Sequence, residues 1–185
     1  MTHRGPSAPE RLLTAALTEF ARHGKAGART QRIAQRAGVN KQLISYYFGS
    51  KDALYRATLE RAGQGVARAL ARELEPAVTA VERLRRLLRI QFDYLATHEE
   101  PTSLLLHSGH RGAWFDAAAQ PLVAVLTEGQ ATGFFRDDLD PLLLARQVLV
   151  LHLGYFALGS LTSGWGPASA WRDQMAEVLV QGCSW

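Results

Sequence analysis

The side chains with most to offer chemically are Lys41, Gln42, Ser45, Tyr46 and Tyr47 in one run, flanked by Thr30, Gln31 and Lys51. Glutamine can pair with adenine at both N6 and N7, serine can donate or accept, and an aromatic ring can pack on a thymine methyl or a sugar. Lys41, Tyr47, Thr30 and Lys51 suit phosphate oxygens, and Thr30 and Lys51 lie near helix starts that favour anions on their own. The chemistry these residues can perform together is recognition of a nucleic-acid duplex, with 42, 45 and 46 on base edges and the others on the backbone.

That chemistry requires a short helix held clear of its own apolar support. Ser7-Ala8-Pro9-Glu10 has the spacing of a capping box, and Leu13, Ala16, Leu17 and Phe20 follow at i, i+3, i+4, i+7, with Gly24 as a stop, so the first helix has one apolar face. Thr30 is expected to cap a second helix that turns Ile33, Ala34 and Ala37 inward. Gly38 supplies the residue that most easily takes a positive φ just past its end. Asn40 is expected to cap a third helix. With Ile44 and Phe48 as its buried stripe, 100° per residue puts Gln42, Ser45 and Tyr46 on the far side, with Lys41 and Tyr47 flanking. No carboxylate lies on that face. Two short helices joined across Ala37-Gly38-Val39-Asn40 have helix-turn-helix spacing.

Charge marks the same region. Residues 1–68 hold nine Arg and three Lys against four acids, and the rest holds nine Arg against thirteen, so a net +8 precedes a net −4. A basic segment before a mildly acidic body implies an anionic partner for the first part only. The 185 residues are 47% apolar and 21% charged, which excludes disorder and a disulfide mini-protein. One cysteine, Cys183, permits no intrachain disulfide and no cysteine zinc site. The start carries no apolar stretch of the kind an exported protein uses, so a reducing, cytoplasmic setting is expected. Leu142 to Leu161 is apolar except for Arg146, Gln147 and His152; these would be costly in hydrocarbon, so burial against two neighbours, one of them another subunit, is the better account.

The run from Ile33 to Leu54 resembles the DNA-binding signature of the TetR family of bacterial transcriptional regulators. The matching anchors are Ile33-Ala34, the Ala37-Gly38-Val39 turn, the Tyr47-Phe48 end of the third helix and the Ser50-Lys51-x-x-Leu54 opening of the fourth. The resemblance implies an all-α fold of about nine helices: a three-helix helix-turn-helix DNA-binding domain over 1–54, then a helical effector-binding and dimerisation domain over 55–185. It makes Thr30 and Tyr47 phosphate binders, Lys51 a backbone anchor, and Lys41, Gln42, Ser45 and Tyr46 the groove-facing set, with Gln31 beside them. Gln42 stands where the family often has a small residue, Ser45 where tyrosine is frequent, and Arg29 where the second helix usually begins with Ser or Thr. These departures bear on the operator sequence.

Beyond the fourth helix, expected to about residue 70, Glu75-Pro76 is read as a break. A helix follows to His98, Glu99-Glu100-Pro101 is read as punctuation, and a short helix carries Leu104 to His107. Another spans Trp114 to about Thr132, with Pro121 predicting a kink or a later start. The last two helices, about 141–160 and 168–181, resemble those that pair subunits in the family. The apolar surface of the first of these exceeds what one core covers, so a two-fold homodimer on a near-palindromic operator is expected. The resemblance further implies a repressor released by a small-molecule effector. Phe92, Leu95, His107, Trp114, Phe115 and His152 are the candidate lining, Trp114 and His107 standing out because each joins an apolar body to a polar atom.

Enzymatic readings have little to build on, and no cofactor is indicated. His107 and His110 could bind a metal with His98, Glu99 or Asp116, although Gly109 is expected to break the helix between the two histidines. Ser103 and Ser108 lie near histidines, yet neither sits in Gly-x-Ser-x-Gly. There is no phosphate-binding loop of the Gly-x-x-x-x-Gly-Lys type. The alternatives left open are a small-molecule-binding helical protein and a metal-dependent enzyme without DNA function.

Overall fold

The structure is a computed structural model that describes residues 5–72, 79–108 and 112–184. These form α1 (Ala8–Gly27), α2 (Thr30–Ala37), α3 (Gln42–Phe48), α4 (Lys51–Ala71), α5 (Ala80–Thr97), α6 (Glu99–His107), α7 (Ala113–Ala131), α8 (Pro141–Ala157), the single turn α9 (Gly159–Thr162) and α10 (Ala168–Cys183). Among the described residues there is no strand, and no helix is long and apolar enough to cross a membrane. The chain divides into two compact units, Met1–Ala62 with Glu99–His110 and Gly63–His98 with Arg111–Trp185.

The first unit is built on the apolar face of α1. Leu12, Ala16 and Phe20 are buried with Ile33, Ile44 and Leu54 from the next three helices, and Phe20 meets the Tyr55 ring edge-on at 4.9 Å. Each such aliphatic side chain contributes about 2 kcal/mol on leaving water. Glu10 Oε2 accepts from the Ser7 N–H at 2.6 Å and from the Ser7 hydroxyl at 2.8 Å, and the helical φ/ψ of α1 are interrupted at Gly24. A division after residue 54 falls inside α4, whose buried Tyr55, Thr58 and Leu59 belong to this unit. The unit also takes in α6. Thr18 donates to Glu100 at 2.9 Å, Arg22 lies 3.7 Å from Glu100, and the Ser103 hydroxyl donates to the Ala21 carbonyl at 3.3 Å.

The second unit packs α5, α7, α8 and α10 around Leu84, Leu88, Phe92, Leu122 and Leu149. Two features fix its geometry. Phe135, in the connector before α8, is fully buried over Gly129; a Cβ there would lie 2.0 Å from the ring, so only glycine admits it. The Arg136 N–H also donates to the Cys183 carbonyl at 2.9 Å, which ties the connector to the end of α10. Along the other side of α10, Arg85 bonds Glu177 at 2.7 Å, Arg89 meets Asp173 at 3.1 Å, and Arg172 reaches Asp93 at 2.8 Å. Such half-exposed pairs add little energy individually but set the register of α10 on α5.

Several local expectations are corrected. Thr30 is the first residue of α2 rather than its cap; Arg29 holds the cap position, and no side chain caps there. Pro101 does not punctuate, because α6 begins at Glu99 and a proline in the first turn removes an N–H that has no helical acceptor. Pro121 neither ends nor delays α7, which runs through it. The helix opened by Pro141 stops at Ala157, with Asp140 accepting from the Leu142 and Leu143 N–H groups at its start. Glu75-Pro76 and Gly109 lie outside the described residues.

Candidate nucleic-acid interface

α3 is two-sided. Ile44 is buried and Leu43 and Phe48 half-buried, whereas Lys41, Gln42, Ser45, Tyr46 and Tyr47 are exposed. Tyr46 keeps 78% of its surface in water and Tyr47 42%, their rings edge-to-face at 4.9 Å. The helix enters this pose through two local devices. Gly38 adopts φ 63°, ψ 39°, its N–H donating to Gln35 and that of Val39 to Ala34, which closes α2 in a left-handed cap. Asn40 Oδ1 then accepts the Gln42 N–H at 2.9 Å; Lys41 holds the cap position of α3, so Asn40 stands one residue ahead of the cap expected of it and still binds the first N–H of the helix.

The flanking residues divide by what already holds them. Gln31 is exposed and Thr30 half-buried. Lys51 is half-buried, its ammonium donating to the Ala26 carbonyl at 3.2 Å near the end of α1, so its charge is held beside the start of α4. Lys25 pairs with Asp52 at 3.1 Å and offsets the acid nearest that helix start.

A residue that sequence reasoning missed fastens α2 beneath this face. Glu19 is buried and accepts from the Arg29 N–H at 2.8 Å and from Arg32 Nε at 2.7 Å. Burial alone would raise its carboxyl, but the hydrogen bonds from Arg32 and Arg29 outweigh it and hold the group below the ordinary glutamate value. The readable signal was an acid on the apolar side of α1, one residue from Phe20.

The candidate effector residues fall in different places. Phe92, Leu95, Trp114 and His152 are buried in the second unit, with the Phe92 and His152 rings 5.6 Å apart. Phe115 meets Trp114 edge-on at 5.2 Å and lines an open cavity of about 580 Å³ with Leu143, Val150, Arg146 and Asp116. Arg146 donates to Asp116 at 2.7 and 2.9 Å across that cavity. His107 belongs to the first unit, exposed at the end of α6 with Nδ1 2.7 Å from the Ser103 carbonyl.

The polar groups of the enzymatic alternatives have structural partners. The Ser103 and Ser108 hydroxyls donate to backbone carbonyls, and the His98 ring stacks on Tyr94 at 3.9 Å. Among the described residues no three His, Cys, Asp or Glu side chains converge on a point, and His110 lies outside them.

The family model for bacterial regulatory proteins of the tetR family matches residues 12–58, the span that contains α2, the turn and α3. The HTH-type transcriptional repressor SCO4008 of Streptomyces coelicolor is 39% identical over 147 residues, covering 74% of this chain and 72% of its own. The chain belongs to the TetR family. It is a DNA-binding transcriptional regulator and not an enzyme. A second relative, the HTH-type transcriptional repressor NicS of Pseudomonas putida, is 31% identical over 70% of this chain and 66% of its own. In fold, this TetR-family chain is similar to the regulator FadR from Bacillus subtilis in complex with stearoyl-CoA, with a TM-score of 0.77 at 20% identity, over 93% of this chain and 97% of that one.

Proposed function

We propose that the protein is a cytoplasmic repressor that binds a near-palindromic operator as a homodimer and leaves it when a small molecule occupies the second unit. The observation that carries the DNA contact is the bare face of α3: one glutamine, one serine, two tyrosines and a lysine, all exposed and without a carboxylate among them. In this reading Gln42, Ser45 and Tyr46 meet base edges while Thr30, Gln31, Lys41, Tyr47 and Lys51 hold phosphates. Repression is occlusion of the bound site.

Dimerisation is supported by apolar surface that one chain leaves uncovered. α8 buries Ala145, Val148, Leu149 and Leu153 on one side and exposes Leu143, Val150 and Leu151 on the other, with Leu158 exposed just past its end, and α10 exposes Val178. Two copies joined through α8 and α10 would present two α3 helices to successive major-groove faces, about 34 to 36 Å apart. An effector that favours a differently spaced pair would move α4, the helix that continues from the DNA-binding segment, and lower operator affinity by mass action.

A band-shift assay on fragments upstream of the protein's own coding region tests the reading. The expected outcome is one retarded complex of dimer stoichiometry that competitor lacking the site does not remove. A monomer by light scattering at micromolar concentration, or retardation independent of sequence, would refute it.

A further inference from the structure

Gln91 sits on α5 with no surface in water, and its Nε2 group has no hydrogen-bond partner. Its Oε1 faces Nδ1 of His152, also buried, at 2.9 Å. A carbonyl oxygen can only accept, so His152 carries its proton on Nδ1 and turns Nε2 into an acceptor. Two neutral polar side chains thus lie in an aromatic wall. Phe92 stands 5.0 Å from Phe156 and 5.2 Å from Trp171, and Tyr155 stands 4.5 Å from Trp171. Tyr155, Phe156 and Trp171 are only half-buried, so the wall reaches the surface of the second unit.

An amide N–H left unpaired at full burial is costly; the Oε1 end of Gln91 is occupied by His152, and the Nε2 end is not. The free Nε2 group is suited to an acceptor that the chain does not supply. The surroundings also limit what that can be. Burial pushes the His152 imidazole down to about 4, so this environment disfavours charge. Among the described residues no carboxylate, lysine or arginine hydrogen-bonds to either Gln91 or His152.

We propose that Gln91 and His152 form the polar end of an effector site between α5, α8 and α10, and that its ligand is an uncharged planar molecule bearing a hydrogen-bond acceptor. Gln91 Nε2 donates to the acceptor and the rings of Phe92, Tyr155 and Trp171 stack on the plane. The inference rests on the reading that the second unit answers to an effector, and it names the chemistry of that effector.

Calorimetric titration with three probes tests it: benzamide, the anionic isostere benzoate, and the non-planar cyclohexanecarboxamide, each at millimolar concentration. Benzamide is expected to bind about tenfold or more tighter than either of the others, and Gln91→Leu to weaken it by about tenfold; the leucine also leaves the buried His152 Nδ1–H without its acceptor, so the melting temperature of each variant is measured beside its affinity. Gln91→Met, which also lacks the donor, guards against a folding defect in the leucine variant. Equal binding of benzoate, unchanged affinity in both variants, or no heat with benzamide and only an ordered water on Nε2 in a crystal grown with it, would each overturn the proposal. If benzamide binds through Gln91 yet DNA affinity stays constant, the site stands and the effector reading fails. If a compound of another class releases DNA equally from wild type and Gln91→Leu, the effector reading stands and this site fails.

Discussion

His152 makes the stability of the second unit sensitive to mild acid. Its imidazole titrates near 6.5 when exposed and only at about 4 in the fold, because burial disfavours the charged ring. Between those values the unfolded chain takes up a proton that the folded chain refuses, so stability falls as pH drops through that window and is flat above it. Each tenfold rise in proton concentration there costs about 1.4 kcal/mol, so pH 5 should cost about 2 kcal/mol relative to pH 8. The carboxylates of Glu82, Asp173 and Glu177 are held low by hydrogen bonds from Arg85, Arg172 and Arg85 respectively. Their contribution is present above the ordinary carboxylate range and is lost only at lower pH. Urea unfolding of wild type and His152→Leu at pH 8, 6.5 and 5, at one fixed protein concentration and ionic strength, isolates the histidine. The difference between the two proteins should change by about 2 kcal/mol from pH 8 to pH 5 in favour of the variant. A constant difference would show that the ring is protonated without penalty and refute the reasoning.

Glu19→Ala removes a buried acceptor from the Arg29 N–H and Arg32, and should destabilise the first unit by about 2 kcal/mol in urea unfolding, less if water reaches the half-exposed Arg32. Gly129→Ala drives a methyl group into the Phe135 ring, 2.0 Å from its position, and should lower the melting temperature by several degrees. Lys51→Ala should weaken binding to every duplex and lower the slope of log affinity against log salt by about one, whereas Gln42→Ala should cost about 1 to 3 kcal/mol at one base step. Uniform loss across base substitutions in the Gln42 variant would contradict its role.

What could be read from the sequence was what local rules determine. The α2–turn–α3 segment was legible because Gly38 is a residue suited to the left-handed cap, and because Ile33, Ala34, Ala37 and Ile44 fall on inward faces at helical spacing. The exposed α3 face followed from the same periodicity. Thr30 was misplaced as a cap by one residue: Arg29 holds that position, and its N–H is taken up by Glu19, ten residues earlier, a contact that local spacing does not reveal. The membership of α6 in the first unit was hidden for a similar reason: it depends on the contact of Thr18 with Glu100, 82 residues apart. Gln91 stands at i+7 from Leu84 and i+4 from Leu87, on the apolar stripe of α5, and what helical spacing could not show is its partner, His152, 61 residues along the chain.

The most direct test of the central claim is fluorescence anisotropy of a labelled upstream fragment, titrated at several salt concentrations with wild type and with a Gln42→Ala/Tyr46→Ala variant. Saturable, salt-dependent binding by the wild type, and its loss in the variant while far-ultraviolet circular dichroism is unchanged, is the predicted result. Equal affinity of the two proteins, or no binding by the wild type even in dilute buffer, would contradict it.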